Sequence, residues 1–223
     1  MPRRRGRCLC RAEPAEEGRC LPHCGRGGRS IILGITGGTG CGKTTLLNAV
    51  RDRGGLVLDC DEIYHDLLKT DEKLLHAIEN RFPGTVENGA LQRKKLGAIV
   101  FSDEEALLDL NAITHSAVKR EVLRRLENAP GHAAIDAIGL FEGGLAELCD
   151  TTVAVLAPTE DRVRRLMARD GISEDYARSR IAAQHDDGWF RARCRHILVN
   201  DKDLNAFATV CLAFLDDVGI MKP

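Results

Sequence analysis

Gly37-Gly38-Thr39-Gly40-Cys41-Gly42-Lys43-Thr44 keeps the G-x-x-x-x-G-K-[ST] spacing, between an apolar run (Ile31 to Ile35) and a stretch with Leu46, Leu47, Ala49 and Val50 on one helical face. A strand, a glycine loop and a helix in that order make a cradle for phosphate. The glycines let successive backbone N–H groups converge on phosphate oxygens at the positive end of the following helix. Gly38, Thr39, Gly40, Cys41, Gly42, Lys43, Thr44 and Thr45 are therefore the expected nucleotide contacts. Lys43 would neutralise the β and γ phosphates. The Thr44 hydroxyl would take one Mg²⁺ position, with phosphate oxygens and waters filling most of the rest, so ATP and Mg²⁺ are the expected cofactors.

A second apolar run, Leu56-Val57-Leu58, ends in Asp59-Cys60-Asp61. Carboxylates at the carboxyl end of a parallel strand face the crevice where ligands of open α/β sheets bind. There they can orient Mg²⁺ or take a proton from an attacking hydroxyl. Asp is also a favoured N-cap, so one of the pair could serve only to start the helix near Glu62; the sequence leaves open which does which. Downstream, Arg162, Arg164, Arg165, Arg169, Arg178 and Arg180 give the arginine density that phosphoryl transfer needs. Glu160, Asp161 and Asp170 stand ready to pair with most of them individually. Arg93, Lys94 and Lys95 read as a solvated face unless the acceptor is itself phosphorylated. Cys41 lies near a helix N-terminus that could lower its pKa, although an inert small residue is the plainer reading.

These residues need a scaffold. Apolar runs at 31–35, 133–142, 152–157 and 197–200, with 56–58, read as five buried strands alternating with helices, the last helix running from Leu204 to Val218. This is an α/β fold: a five-stranded parallel sheet of the P-loop NTPase type flanked by helices. Residues 66–128 show helical periodicity broken at Pro83-Gly84 and Asn88-Gly89, more than one crossover needs, and read as a helical insertion over the crevice. The chain has 223 residues, 32 basic and 33 acidic, and 43% hydrophobic residues. That suits one domain with a substantial core, and a net charge of -1 excludes a polyanion binder relying on bulk charge, so no nucleic-acid partner is expected.

Residues 1–30 differ from the body: eight arginines, three glutamates and four of the nine cysteines (Cys8, Cys10, Cys20, Cys24), without apolar periodicity. The cysteines with His23 suffice in number for zinc, but C-x-C followed by C-x3-C is not a strong zinc pattern, and a disordered basic extension is the preferred reading. No apolar stretch follows the charges as a secretory signal would need, and none approaches the ~18 residues of a membrane span. Cys41, Cys60, Cys149, Cys194 and Cys211 are scattered among apolar segments, as in a reducing compartment. A cytoplasmic protein without membrane contact is expected.

In order along the chain, Gly34 to Thr45, Val57-Leu58-Asp59-Cys60-Asp61, Leu91-Gln92-Arg93, His115, Leu140-Phe141-Glu142, Arg165-Leu166-Met167-Ala168-Arg169, Gln184 and Asn200 resemble the dephospho-CoA kinases. That resemblance implies transfer of the γ-phosphoryl of ATP to the 3′-hydroxyl of dephospho-CoA, the last step of coenzyme A synthesis. It implies that Asp61 receives the hydroxyl proton, that Arg165 and Lys43 hold phosphate and that Thr36 offers an active-site hydroxyl. It also implies that Arg169 and Asn200 serve the nucleotide, and that Asp59, Arg93, His115 and Glu142 serve the acceptor. The domain divides accordingly into a core (31–65, 129–165, 195–223), an acceptor-binding insertion (66–128) and a lid (166–194). Ser116 and Ile138-Gly139 depart from the family pattern on the acceptor side; the alternative reading is a related kinase acting on a nucleoside or nucleotide.

Overall fold

The computed structural model describes residues 30–221, so the basic head and its candidate zinc ligands lie outside the described residues. In chain order the elements are β1 (Ile32–Thr36), α1 (Lys43–Asp52), β2 (Leu56–Asp59), α2 (Cys60–Thr70), α3 (Glu72–Arg81), β3 (Val86–Glu87), β4 (Ala90–Leu91), α4 (Arg93–Val100) and α5 (Glu104–Glu127). They continue with β5 (Ala133–Asp136), β6 (Thr151–Leu156), α6 (Thr159–Asp170), α7 (Glu174–Ala182), α8 (Asp187–Arg193), β7 (His196–Val199) and α9 (Leu204–Asp217). The main sheet is parallel throughout, in the order β2-β5-β1-β6-β7.

The strands are apolar on both sides because both faces are covered. Ile32, Leu58, Ala133 and Ile135 feed one core against α2, α3 and α5. Leu33, Ile35, Ala134, Val153 and Val155 feed the other, against Leu46 and Val50 of α1 and Phe207, Phe214 and Leu215 of α9. Each fully buried Leu, Ile or Phe contributes about 1.5–3 kcal/mol, so this double burial is the main source of the sheet's stability. One charge enters the second core: Arg53, just past α1, is 7% exposed and donates to the Asp216 carboxylate and to the Leu212 and Ile220 carbonyls.

The structure corrects four expectations. Residues 133–142 are not one strand: β5 stops at Asp136, whose neighbours are Ile35 of β1 and Asp59 of β2, the last residues with partners on either side. Ala137 N–H still reaches the Ile35 carbonyl at 3.2 Å, and beyond it the backbone turns, with Gly143 N–H on the Gly139 carbonyl at 2.9 Å. The strands do not all alternate with α-helices either, because only a short 3₁₀ turn at Ala146–Leu148 precedes β6. β5 and β6 are not neighbours; β1 lies between them. Finally, the 66–128 segment is not wholly helical. Asn88 (φ 51°) and Gly89 (φ 73°) form the tip of the β3–β4 hairpin, with both tip residues in the left-handed region that a two-residue hairpin turn favours. The boundary drawn at residue 65 also falls inside a continuous helix, α2.

Candidate active site

The carboxyl ends of β1, β2 and β5 open into a cleft of about 400 Å³, lined by Gly38 to Thr44, Asp59, Asp61, Asp136, Ile138, Arg165, Leu166, Arg169 and Arg180. Its floor is the start of α1. Six helices (α2, α3, α5, α7, α8 and α9) begin on an Asp or Ser whose side chain accepts a first-turn backbone N–H. α1 begins instead on Gly42 at φ 94°, with no side-chain cap and no acidic residue in its first turn. Its free N–H groups and positive dipole end face the cleft, as an anion site requires.

The loop is held in shape by side chains. The Asn200 amide donates to the Cys41 carbonyl at 2.9 Å, and Arg165 donates to the Gly40 carbonyl at 3.1 Å. Arg162, 6% exposed, donates from Nε to the Thr39 carbonyl at 2.9 Å. Gln184 Oε1 accepts the Thr39 N–H at 2.8 Å and an Arg162 N–H at 3.1 Å. Lys43 donates to the Gly37 carbonyl at 3.0 Å, keeping its ammonium at the loop.

The two aspartates at the end of β2 and the start of α2 divide the work that the sequence left undivided. Asp59 caps α2, and both cap bonds, from Asp61 N–H (2.9 Å) and Glu62 N–H (3.1 Å), go to its Oδ1. The Asp61 carboxylate has no hydrogen bond or ion pair among the described residues and faces the cleft. A third carboxylate, Asp136, ends β5 beside them. Its Oδ1 is buried without a hydrogen-bond partner. Burial pushes its pKa up to about 6; Lys43 pulls the other way, and Asp59 and Asp61 add to the rise. Asp136 was missed in the sequence because it sits inside an apolar run; its place at a strand's carboxyl end, like that of Asp59, was the available signal.

Among the arginines, charge pairing sorts structural groups from available ones. Arg164 pairs with Asp161, Arg178 with Glu160 and Glu174, and both Arg169 and Arg180 with Asp170. Asp170 is held down at about 2, first by its hydrogen bond to Arg169. Arg165 and Arg162 have no carboxylate partner among the described residues, and Arg165 lines the cleft.

Other expected site residues lie elsewhere. Thr36 is fully buried and its hydroxyl donates to the Ile138 carbonyl at 3.1 Å, so it fixes the turn after β5 instead of presenting a hydroxyl to the cleft. Thr45 follows the cleft-lining Thr44 into α1, and Asn200 acts on the loop from behind. Arg93, His115 and Glu142 are not in the cleft lining: Arg93 lies 3.4 Å from His65 Nε2, His115 packs near Gly143, and Glu142 meets His185 at 2.7 Å. Cys41 is 1% exposed and burial raises its thiol pKa, which removes the reactive reading of that cysteine. Cys60 is pushed up to about 12, first by burial and then by the carboxylates of Asp136, Asp59 and Asp61.

Comparison with known proteins gives a consistent picture. The dephospho-CoA kinase family profile matches residues 31–206. A dephospho-CoA kinase of Corynebacterium diphtheriae is 35% identical over 175 residues, covering 76% of this chain and 88% of its own. One from Geobacillus kaustophilus is 37% identical over 161 residues, covering 70% and 80%. A crystal structure from Thermus thermophilus aligns at TM-score 0.72 with 34% identity, over 85% of this chain and 98% of that one.

Proposed function

Because the chain belongs to the dephospho-CoA kinase family, we propose that its cleft transfers the γ-phosphoryl of ATP to the 3′-hydroxyl of dephospho-CoA, giving coenzyme A and ADP. The observation that carries the mechanism is the division between the aspartates: Asp59 is spent on the cap, and Asp61 is left unpaired at the cleft, across from an uncapped helix start. The free N–H groups of α1 and the Lys43 ammonium hold the ATP phosphates. Arg165, with no carboxylate of its own, supplies positive charge where equatorial oxygens gain negative charge. Asp61 accepts the proton as the acceptor oxygen bonds to the γ-phosphorus and the bond from phosphorus to the ADP oxygen breaks. Residues 166–194 carry Arg169 and Arg180 and close over the nucleotide as the lid, and the helical face at 66–128 receives the acceptor.

The site suits Mg²⁺. No cluster of three or more His, Cys, Asp or Glu that could cage a metal is present among the described residues, and Mg²⁺ on a nucleotide needs none. The orphaned, buried Asp136 Oδ1 and the Thr44 hydroxyl are oxygen donors beside the loop, as a hard cation and its waters require. When bound, the ion draws charge from the β and γ phosphate oxygens. We also place the enzyme in the reducing cytoplasm: the five cysteines of the domain are free, and no described helix is long and apolar enough to cross a membrane.

The test is ADP formation across dephospho-CoA, nucleosides and nucleotides. Dephospho-CoA should support turnover, with little ATP hydrolysis in its absence; robust turnover of nucleosides with none of dephospho-CoA would overturn the assignment. Asp61→Asn should lower kcat by about 10²–10⁴-fold while leaving binding of a non-transferable ATP analogue intact.

A further inference from the structure

Gln184 and His185 are adjacent in the chain and hold different segments, the phosphate loop and the turn after β5. Gln184 Oε1 takes both the Thr39 N–H (2.8 Å) and an Arg162 N–H (3.1 Å), while Arg162 holds the Thr39 carbonyl (2.9 Å). The packing is close: a Cβ added at Gly38 would stand 2.2 Å from the Arg162 guanidinium and 3.0 Å from Gln184 Oε1. The loop's second and third residues are thus set by these two side chains. His185 holds another segment. Its Nε2 meets Glu142 Oε1 at 2.7 Å, and its ring stacks on Trp189 at 3.8 Å with planes 2° apart. Arg193 covers the Trp189 ring at 4.3 Å, and Phe141 meets that ring edge-on.

Glu142 and Phe141 belong to the turn after β5. That turn also carries Ile138 into the cleft wall and packs Gly143 against His115 of α5. It is therefore the piece of chain that joins the cleft, the helices at 66–128 and the lid base. The contacts run in series from this turn through Glu142 and His185 to the neighbouring Gln184 and the peptide of Thr39.

From this chain of contacts we infer that Gln184 is a positioning residue for the phosphate loop, and that the Glu142–His185 contact is the latch through which acceptor binding sets its grip. Acceptor and ATP then bind with positive coupling. The coupling rests on the acceptor reading proposed above; the grip of Gln184 on the loop does not.

Trp189 is the single tryptophan of the chain, so its emission reports the latch directly. The experiment measures Kd for a non-transferable ATP analogue with and without dephospho-CoA, together with Trp189 fluorescence. In the unmodified enzyme, dephospho-CoA should change the emission and tighten analogue binding by about fivefold or more, the low end of typical coupling. His185→Ala should bring the coupling ratio close to one while still binding each ligand. Gln184→Ala should weaken the analogue about tenfold, by leaving the Thr39 N–H and Arg162 without their acceptor, with dephospho-CoA affinity nearly unchanged. Gln184→Glu, which keeps an acceptor oxygen in place, should restore most of the loss. An unchanged coupling ratio in His185→Ala overturns the latch, and unchanged analogue affinity in folded Gln184→Ala overturns the positioning role. If Gln184→Ala fails to fold, Gln184→Glu and Gln184→Met decide: equal analogue affinity in the two would overturn the role. No binding of dephospho-CoA to the unmodified enzyme would sink the acceptor assignment, and the Gln184 measurements, which need only the analogue, would still decide the positioning role.

Discussion

Asp136 shows how one carboxyl group can serve the site and weaken the fold. Buried near Asp59 and Asp61, it keeps its proton up to about pH 6 rather than the ordinary 3.8. Between those values the folded chain binds a proton that the unfolded chain has released, so this group's contribution makes stability fall as pH rises through the window, and the loss is complete above about 6. A shift of about two pKa units is worth on the order of 3 kcal/mol. Asp136→Asn, with nucleotide absent and metal chelated, should therefore be more stable than the parent by roughly 2–3 kcal/mol above pH 6 and nearly equal to it near pH 4. Urea unfolding of both proteins across pH 4–7.5 measures it, and a difference independent of pH would refute it. The same variant should lose turnover, since it gives up a charged oxygen donor beside the loop. Lys43 was legible as a cleft residue because motif spacing places it in the glycine loop, whereas Asp61 and Arg165 were singled out by the family resemblance and the division between Asp59 and Asp61 was left open. Asp136 and Gln184 were not assigned roles because theirs come from burial and long-range contact, Gln184 reaching Thr39 across 145 residues.

At the scale of elements, the start of α2 is where architecture and chemistry meet. Asp59 caps the helix and so sets the turn on which Asp61 stands. Asp59→Ala should cost about 1 kcal/mol of stability, the usual value of a lost cap, and lower kcat as well, because Asp61 loses its fixed position. Asp59→Ser retains capping ability and should recover most of the stability. Unfolding and steady-state kinetics on the two variants separate the cap from any direct part the carboxylate plays; equal kcat in Asp59→Ala and the parent would show that the cap does not position Asp61. The sequence made α1 plain, because the glycine loop marks its start. It overran β5 because apolar residues continue to Phe141 while the partner strands end at Thr36 and Asp59. Strand length here is set by neighbours, which periodicity does not record. Asn88-Gly89 was seen as a break and proved to be a hairpin tip, a distinction that depends on the two short strands finding each other.

For the molecule as a whole, the candidate active site lies at the carboxyl ends of β1, β2 and β5, the C-terminal edge of a sheet whose two faces are packed separately. Occupying that edge should stabilise the whole domain: ATP at one hundred times its Kd adds about 2.7 kcal/mol, which for a domain of this size raises Tm by roughly 5–10 °C. Lys43→Ala should abolish most of that rise at the same ATP concentration. A thermal shift titration reads this, and an undiminished shift in the variant would place the phosphates elsewhere. The rise depends on a foundation far from the ligand. α1 presents its first turn to the cleft, and about 15 Å away, just beyond its last, Arg53 is held by Leu212 and Asp216 of α9 and by Ile220 just after it. The helix is in effect a beam with one end in the cleft and the other bolted to α9 and Ile220. Asp216→Ala, which removes the one side-chain partner in that clamp, should therefore weaken binding of an ATP analogue, and an unchanged Kd in the folded variant would show that the far end of the helix does not matter to the cleft.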